Sequence, residues 1–152
     1  GDNVFVKIPV TNTKREPSDD VIRRLAREGV KLNVTALMTL EQVARVTDCL
    51  VGSGPSFVSV FAGRIADTGR DPLPLMAEAL EIVRQVDTIE LIWASPREVL
   101  NILQADSIGC HVITVTSGLL AKLPTVGRDL DEFSLATVRM FHDDAAAAGY
   151  QI

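Results

Sequence analysis

Short hydrophobic segments alternate along the chain with longer segments whose apolar residues recur at helical spacing. Five of the segments are short, rich in β-branched residues and bounded by turn residues, which predicts β-strands. They read VFVKIPV (4–10), KLNVTAL (31–37), FVSVFAG (57–63), TIELIWAS (88–95) and CHVITVTS (110–117). A helix is predicted after each strand, so the order is βα repeated five times. This order is typical of parallel strands joined by helical crossovers.

Capping and breaker residues set the expected helix boundaries in the first half of the chain. Ser18 is a suitable N-cap for the first helix, and Gly29 is a suitable terminator. Thr39 and Gln42 have the spacing of a capping box and predict the start of the second helix.

In the second half, a helix is expected from about residue 75 to residue 86. The next helix is predicted to begin at Pro96, with Ser95 as its N-cap, and to run to about residue 105. Ser117 is expected to start a short helix, and residues 129–149 to form a long terminal one. The apolar side of that terminal helix is predicted to hold Phe133, Leu135, Val138 and either Met140 or Phe141.

The two faces of the predicted strands differ in character. In the second strand Leu32 and Val34 share one face, whereas Asn33 and Thr35 share the other. A doubly wound sheet carries helices on both faces, so its central strands should be apolar on both. A (β/α)8 barrel instead has helices outside and a side-chain-filled interior with a site at its C-terminal mouth. We therefore expect a portion of a barrel rather than an open flavodoxin-like sheet. The polar side chains expected to share its interior are Lys7, Asn33, Thr35, Ser59 and Thr114.

Length and composition narrow the classes of function. The 152 residues form one expected domain, residues 1–152, and their 47% hydrophobic content can build a sizeable core. A net charge of −5 without a basic tract argues against nucleic acid or a membrane surface as a partner. Cys49 and Cys110 form no disulfide or metal-binding pattern, and a cytoplasmic protein with reduced thiols is expected. No GxGxxG or GxxxxGKS pattern follows the first strand, so nucleotide binding has no support.

Four segments, in this order and spacing, resemble the transaldolase family: VFVKIPVT, KLNVTALMT, FVSVFAGRIAD and WASPREV. The resemblance extends from residue 4 to the terminal helix. It implies a class I, Schiff-base-forming enzyme on a (β/α)8 TIM barrel. It further implies transfer of a dihydroxyacetone unit from a ketose phosphate, such as sedoheptulose 7-phosphate or fructose 6-phosphate, to an aldose phosphate in the pentose phosphate pathway. No metal and no organic cofactor is implied, and the expected partners are sugar phosphates.

The resemblance also implies roles for individual residues. Lys7 matches the lysine that forms the Schiff base. Asn33 matches an asparagine that contacts substrate hydroxyls, and Thr35 matches a threonine that helps to hold a catalytic water. Both are expected beside Lys7 in the barrel interior.

The remaining implied residues bind the substrate. Ser59, Phe61 and Arg64 match a Ser-X-Phe-X-X-Arg pattern whose arginine binds substrate phosphate. Ser95 and Arg97 match a second part of that phosphate site, expected in the first turn of a helix. Related fructose-6-phosphate aldolases carry a tyrosine at the position of Phe61, which favours the transaldolase branch.

The chain departs from the family in its number of strands. A complete barrel has eight, whereas this sequence predicts five that match the fourth to eighth. The family's earlier strands carry an aspartate and a glutamate for proton transfer, and no residue here matches them; Glu90 is expected to be structural. Loss or absence of an N-terminal segment is the favoured explanation, with little turnover expected from this chain alone. Assembly with a partner or a second copy is the other.

Two alternative functions stay open at this point. One is a class I aldolase that cleaves fructose 6-phosphate or deoxyribose phosphate. The other is a catalytically incomplete fragment or assembly module. The terminal helix is expected either to pack on its own barrel or to cover the mouth or a subunit contact.

Overall fold

One parallel β-sheet organises the chain in the computed structural model, which describes residues 3–150. Its strands are β1 (Val6–Pro9), β2 (Leu32–Leu37), β3 (Ser56–Val60), β4 (Ile89–Trp93) and β5 (Val112–Ile113). Each strand pairs in parallel with the next, so the spatial order equals the chain order. A flavodoxin-like sheet reverses its order at a switch point, which this sheet does not do. The order is that of consecutive strands in a (β/α)8 barrel, as the strand faces predicted.

Helices connect the strands and follow them. They are α1 (Asp19–Arg27), α2 (Leu40–Cys49), α3 (Ala62–Ala66), α4 (Pro72–Val83), α5 (Leu100–Ser107), α6 (Ser117–Leu120) and α7 (Leu130–Ala147), with a 3-10 turn at Leu123–Thr125. The capping box predicted for α2 is present, since Thr39 Oγ1 accepts from the backbone N–H of Gln42 and the Gln42 side chain accepts from that of Thr39. Ser18 is the residue before α1 but makes no side-chain capping bond.

The hydrophobic core lies between the sheet and the helices that pack on one of its faces. Alternate strand residues that point to these helices are fully buried: Leu32, Val34, Val58, Val60, Leu91 and Trp93. The helices contribute Ile22, Val43, Val46, Met76 and Leu80 to the same core. Burial of each such side chain stabilises the fold by about 1.5–3 kcal/mol. The aliphatic strand face identified in the sequence is therefore the helix-facing one.

The other face of the sheet, which we call the open face, carries the remaining alternate residues. Lys7 and Asn33 are register partners on β1 and β2, and Asn33 is in turn the register partner of Phe57. The rings of Phe5 and Phe57 meet over β2 with their centroids 4.6 Å apart. No helix of residues 3–150 covers this face, so several of its side chains retain contact with solvent.

The last βα units differ from the sequence-based expectations. The predicted strand 110–117 is reduced to two residues, because only Val112 and Ile113 pair with β4. The helix predicted from Pro96 begins at Leu100 instead. Ser95 has a φ of 60°, a left-handed conformation that does not suit the extended backbone of an N-cap, so that prediction was wrong. Helix α4 begins with Pro72 after the N-cap Asp71, earlier than expected.

Helix α7 has the predicted extent and the predicted N-cap, Asp129, whose carboxylate accepts from the N–H of Glu132. None of its residues is buried. Packing of this helix on its own sheet, one of the two arrangements considered, is therefore not seen. Across residues 3–150, no helix combines the length and the apolar character needed to cross a membrane.

Candidate active site

Lys7 lies in the middle of β1, on the open face beside Asn33. It is exposed, because β1 is an edge strand and the open face lacks a cover within residues 3–150. Its amine makes no hydrogen bond or ion pair with any other residue of that range. The expected face is thus observed, but the expected enclosure is not. An exposed primary amine beside an amide side chain can reach a carbonyl compound that enters from the open face.

Asn33 is held in one orientation by Ser59. The Ser59 hydroxyl donates to Asn33 Oδ1 at 2.7 Å, and the serine is only 4% exposed. With its oxygen occupied, the asparagine keeps its NH2 group available to donate to another acceptor. The two residues that the sequence assigned to substrate binding are therefore joined directly, next to Lys7.

Thr35 is one side-chain repeat further along β2, towards the carboxyl end of the sheet. Its Oγ1 is fully buried and has no hydrogen-bond partner within the described residues. The backbone changes here: the next residue, Ala36, has a φ of 66°, and the pairing with β3 shifts register between Val34 and Leu37. Such bulges are frequent next to active sites. A buried hydroxyl without a protein partner suits an ordered water, the role expected from the sequence.

Phe61 connects β3 to α3 at the same end of the sheet. Its backbone N–H donates to the carbonyl of Leu37 at 2.8 Å, which ties the ends of β2 and β3 together. The ring is half-buried. Phe61 therefore lies between the polar cluster of the open face and the arginines that follow it.

A close backbone contact brings α3 against the end of β4. The N–H of Gly63 points to the carbonyl of Ala94 at 3.3 Å. A Cβ atom built on Gly63 would lie 1.5 Å from the carbonyl oxygen of Ser95, which no real Cβ atom could do. Only glycine fits this position. As a result Arg64, the next residue, lies near the loop that carries Arg97.

The two predicted phosphate-binding arginines have different environments. Arg64 is exposed and has no side-chain partner within residues 3–150. Arg97 is paired with Asp67: its Nε lies 3.0 Å from Oδ1 and its Nη2 lies 2.5 Å from Oδ2.

Arg97 is not in the first turn of α5, so the predicted helix N-terminal cradle was wrong. It occupies the loop before the helix. There its backbone N–H and that of Glu98 both donate to Oδ1 of Asn101, at 2.7 and 3.1 Å. Asn101 is buried and closes the loop as an internal cap. The loop is therefore fixed by a side chain of the helix rather than by Ser95.

An open groove of about 330 Å³ follows the ends of β4 and β5. Its lining consists of Ser95, Pro96, Arg97, Thr114, Val115 and Thr116. The N–H of Ser95 donates to Oγ1 of Thr114 at 3.3 Å. A guanidinium and several hydroxyls in one groove provide the donors that a phosphate group requires.

Three residues of this region escaped the sequence analysis: Gly63, Asp67 and Asn101. Asp67 had a weak signal, because it follows Arg64 by three residues and thus shares its side of one helical turn. The contacts of Gly63 and Asn101 join segments separated in sequence or depend on the loop conformation, so the sequence carried no signal for them.

The chain is similar to a set of named proteins. A family model described as transaldolase/fructose-6-phosphate aldolase matches residues 1–152. A probable transaldolase of Anaeromyxobacter sp. (strain Fw109-5) is 34% identical over 137 residues, which are 88% of this chain and 60% of that relative. A probable transaldolase of Thermoanaerobacter sp. (strain X514) is 30% identical over 151 residues, which are 99% of this chain and 64% of that relative.

A third relative, a probable transaldolase of Streptococcus pyogenes serotype M5 (strain Manfredo), is 32% identical over 123 residues. These residues are 80% of this chain and 54% of the relative. The chain therefore spans between 54% and 64% of the length of these curated relatives.

Proposed function

Because this chain belongs to the transaldolase/fructose-6-phosphate aldolase family, we propose that it carries the imine-forming part of a transaldolase site. The proposed reaction moves a dihydroxyacetone unit from a ketose phosphate to an aldose phosphate, within the cytoplasmic pentose phosphate pathway. The observation that carries the proposal is the polar cluster on the open face: Lys7 beside Asn33, and Asn33 bonded to Ser59.

The proposed chemistry begins with the Lys7 amine. It attacks the ketose carbonyl, and loss of water gives a protonated imine. The bond between C3 and C4 of the ketose then breaks, an aldose phosphate leaves, and the electron pair is taken up by the imine as an enamine. The enamine carbon attacks the aldehyde of the acceptor sugar phosphate. Water finally hydrolyses the imine and restores Lys7.

Other residues of the cluster serve binding and proton transfer in this proposal. The free NH2 group of Asn33 donates to a substrate hydroxyl, with Ser59 fixing its orientation. The unpartnered Oγ1 of Thr35 binds the water that exchanges protons with the substrate. Arg64 and the groove with Ser95 and Arg97 bind the phosphate end.

Further βα units would complete the barrel in this proposal and would supply the acidic residues for proton transfer. The uncovered open face and the exposed edge strand β1 support it. The units belong either to the same polypeptide or to a partner chain, including a second copy of this one.

A second candidate, a fructose-6-phosphate aldolase, is included in the description of the family. It would release free dihydroxyacetone instead of transferring it. Phe61, at the position where the related aldolases carry a tyrosine, favours transfer. Product analysis separates the two reactions, because erythrose 4-phosphate as acceptor yields sedoheptulose 7-phosphate in the first case and free dihydroxyacetone accumulates in the second.

The imine itself can be tested without full turnover. Fructose 6-phosphate is incubated with the chain and borohydride is added, so that any imine becomes a stable secondary amine detectable by intact mass. We expect an adduct on the unaltered chain and on Lys14→Met, whose lysine is exposed in a loop outside the cluster. Lys7→Met should form none. An adduct that persists in Lys7→Met would overturn the proposal.

A further inference from the structure

The Asp67–Arg97 pair links two segments that the function has so far treated separately. Asp67 directly follows α3, three residues after Arg64, whereas Arg97 lies in the loop between β4 and α5. Both oxygens of the carboxylate accept, one from Nε and one from Nη2, so the contact is a bidentate fork.

The fork leaves part of the guanidinium unused. An arginine has five N–H donors, and the contact engages one on Nε and one on Nη2. Both hydrogens of Nη1 and one of Nη2 remain. Since the group is planar, fixing one edge also fixes the direction of the donors on the other edge. The arginine can thus hold Asp67 and an anion at the same time.

A stabilising role for the pair explains little. Both side chains are about half exposed, 47% for Arg97 and 48% for Asp67. Exposed ion pairs contribute little to the free energy of unfolding. The backbone of Arg97 is already fixed by Asn101, and the close contact of Gly63 with Ser95 fixes the spacing between α3 and this loop. What the fork adds is the orientation of the guanidinium at the edge of the groove.

We propose that Asp67 is a positioning residue that holds the guanidinium of Arg97 towards the groove and so sets the affinity for the phosphate end of the sugar. The inference rests on the proposed function for the identity of the sugar, but not for the binding of phosphate. It makes a prediction of definite sign. A carboxylate that merely competed with phosphate for Arg97 would weaken binding, so its removal would strengthen it. A positioning carboxylate does the opposite.

The first test titrates inorganic phosphate and follows the Nε–H signal of Arg97 by NMR, assigned with Arg97→Lys. We expect Asp67→Asn to raise the half-saturating phosphate concentration roughly two- to fivefold. Asp67→Glu should recover part of the loss. Asp87→Asn, which removes an exposed carboxylate in the loop before β4, at the opposite end of the sheet, should change nothing. Equal or tighter binding by Asp67→Asn, or a wild-type signal that phosphate does not shift, would overturn the inference.

The second test separates this inference from the proposed function. Borohydride trapping is measured with fructose 6-phosphate and with unphosphorylated dihydroxyacetone. Asp67→Asn should raise the half-saturating concentration for the first compound and leave trapping of the second unchanged, which a general loss of structure would not do. If the unaltered chain traps neither compound, the proposed function fails while the phosphate titration still decides the role of Asp67. If Asp67→Asn affects both compounds equally, the positioning role is wrong.

Discussion

Gly63→Ala is expected to damage the mouth of the sheet more than any other addition of a single methyl group at a glycine. The added Cβ would lie 1.5 Å from the carbonyl oxygen and 2.6 Å from the carbonyl carbon of Ser95. Close C···O contacts in proteins are about 3.3 Å, so α3 and the end of β4 must separate by roughly 1.8 Å. The obstructing atoms are backbone, which no rotamer change can move aside.

The magnitude follows from two opposing contributions. Gly63 lies in α3 with an ordinary φ, so alanine would by itself favour the helix by about 1 kcal/mol. Overpacking typically destabilises by about 1–3 kcal/mol and sometimes more. With a backbone contact at this distance we expect the overpacking to prevail and the free energy of unfolding to fall by about 2–3 kcal/mol. The separation should also move Arg97 away from Arg64 and weaken phosphate binding.

Urea unfolding measures the first effect. Trp93 is the single tryptophan and is fully buried, so its fluorescence reports unfolding of the sheet. Gly118→Ala is the matched control, because a Cβ on Gly118 meets no atom within 4 Å and that glycine also lies in a helix, α6. We expect the control to be as stable as the unaltered chain or slightly more so. If Gly63→Ala matches the control in both stability and phosphate binding, the close contact does not hold the site together.

Three further predictions concern single groups. Ser59→Ala should lower the free energy of unfolding by about 1–2 kcal/mol in urea, because the oxygen of Asn33 loses its buried donor; no change would mean that the bond contributes nothing. Thr39→Ala should lower it by about 1 kcal/mol through loss of the capping box of α2, measured in the same way. Burial raises the pKa of the Cys110 thiol. Alkylation at pH 8 should therefore be slower than in the urea-unfolded chain, with its pH midpoint shifted upwards; equal rates would contradict this.

The sequence predicted those parts of the fold that depend on periodicity and capping. Alternation placed Asn33 on one face and Val34 on the other, and the structure confirms both. The capping residues of α2 and α7 were likewise local signals. The start of α5 was predicted wrongly, because Pro96 in a favourable position did not reveal the left-handed backbone of Ser95 or the bonds that Asn101 makes to the preceding loop.

The site was predictable as a list of residues but not as a set of contacts. Motif spacing indicated Lys7, Asn33 and Arg97, and nothing in it showed that Arg97 would be shared with Asp67. That contact spans thirty positions and depends on the spacing set by Gly63. The exposure of Lys7 was also unpredictable from its own strand, since it depends on what covers the open face.

Site-resolved trapping tests the central claim most directly. The chain has four lysines: Lys7, Lys14, Lys31 and Lys122. The chain is treated with dihydroxyacetone and borohydride, digested, and the adduct on each lysine is quantified by mass spectrometry, in the folded and in the urea-unfolded protein. We expect the folded chain to carry the adduct on Lys7 with only traces elsewhere, and the unfolded chain to lose this preference. An even distribution over the exposed lysines of the folded chain would show that the open face does not activate Lys7, and the proposed imine chemistry would be wrong.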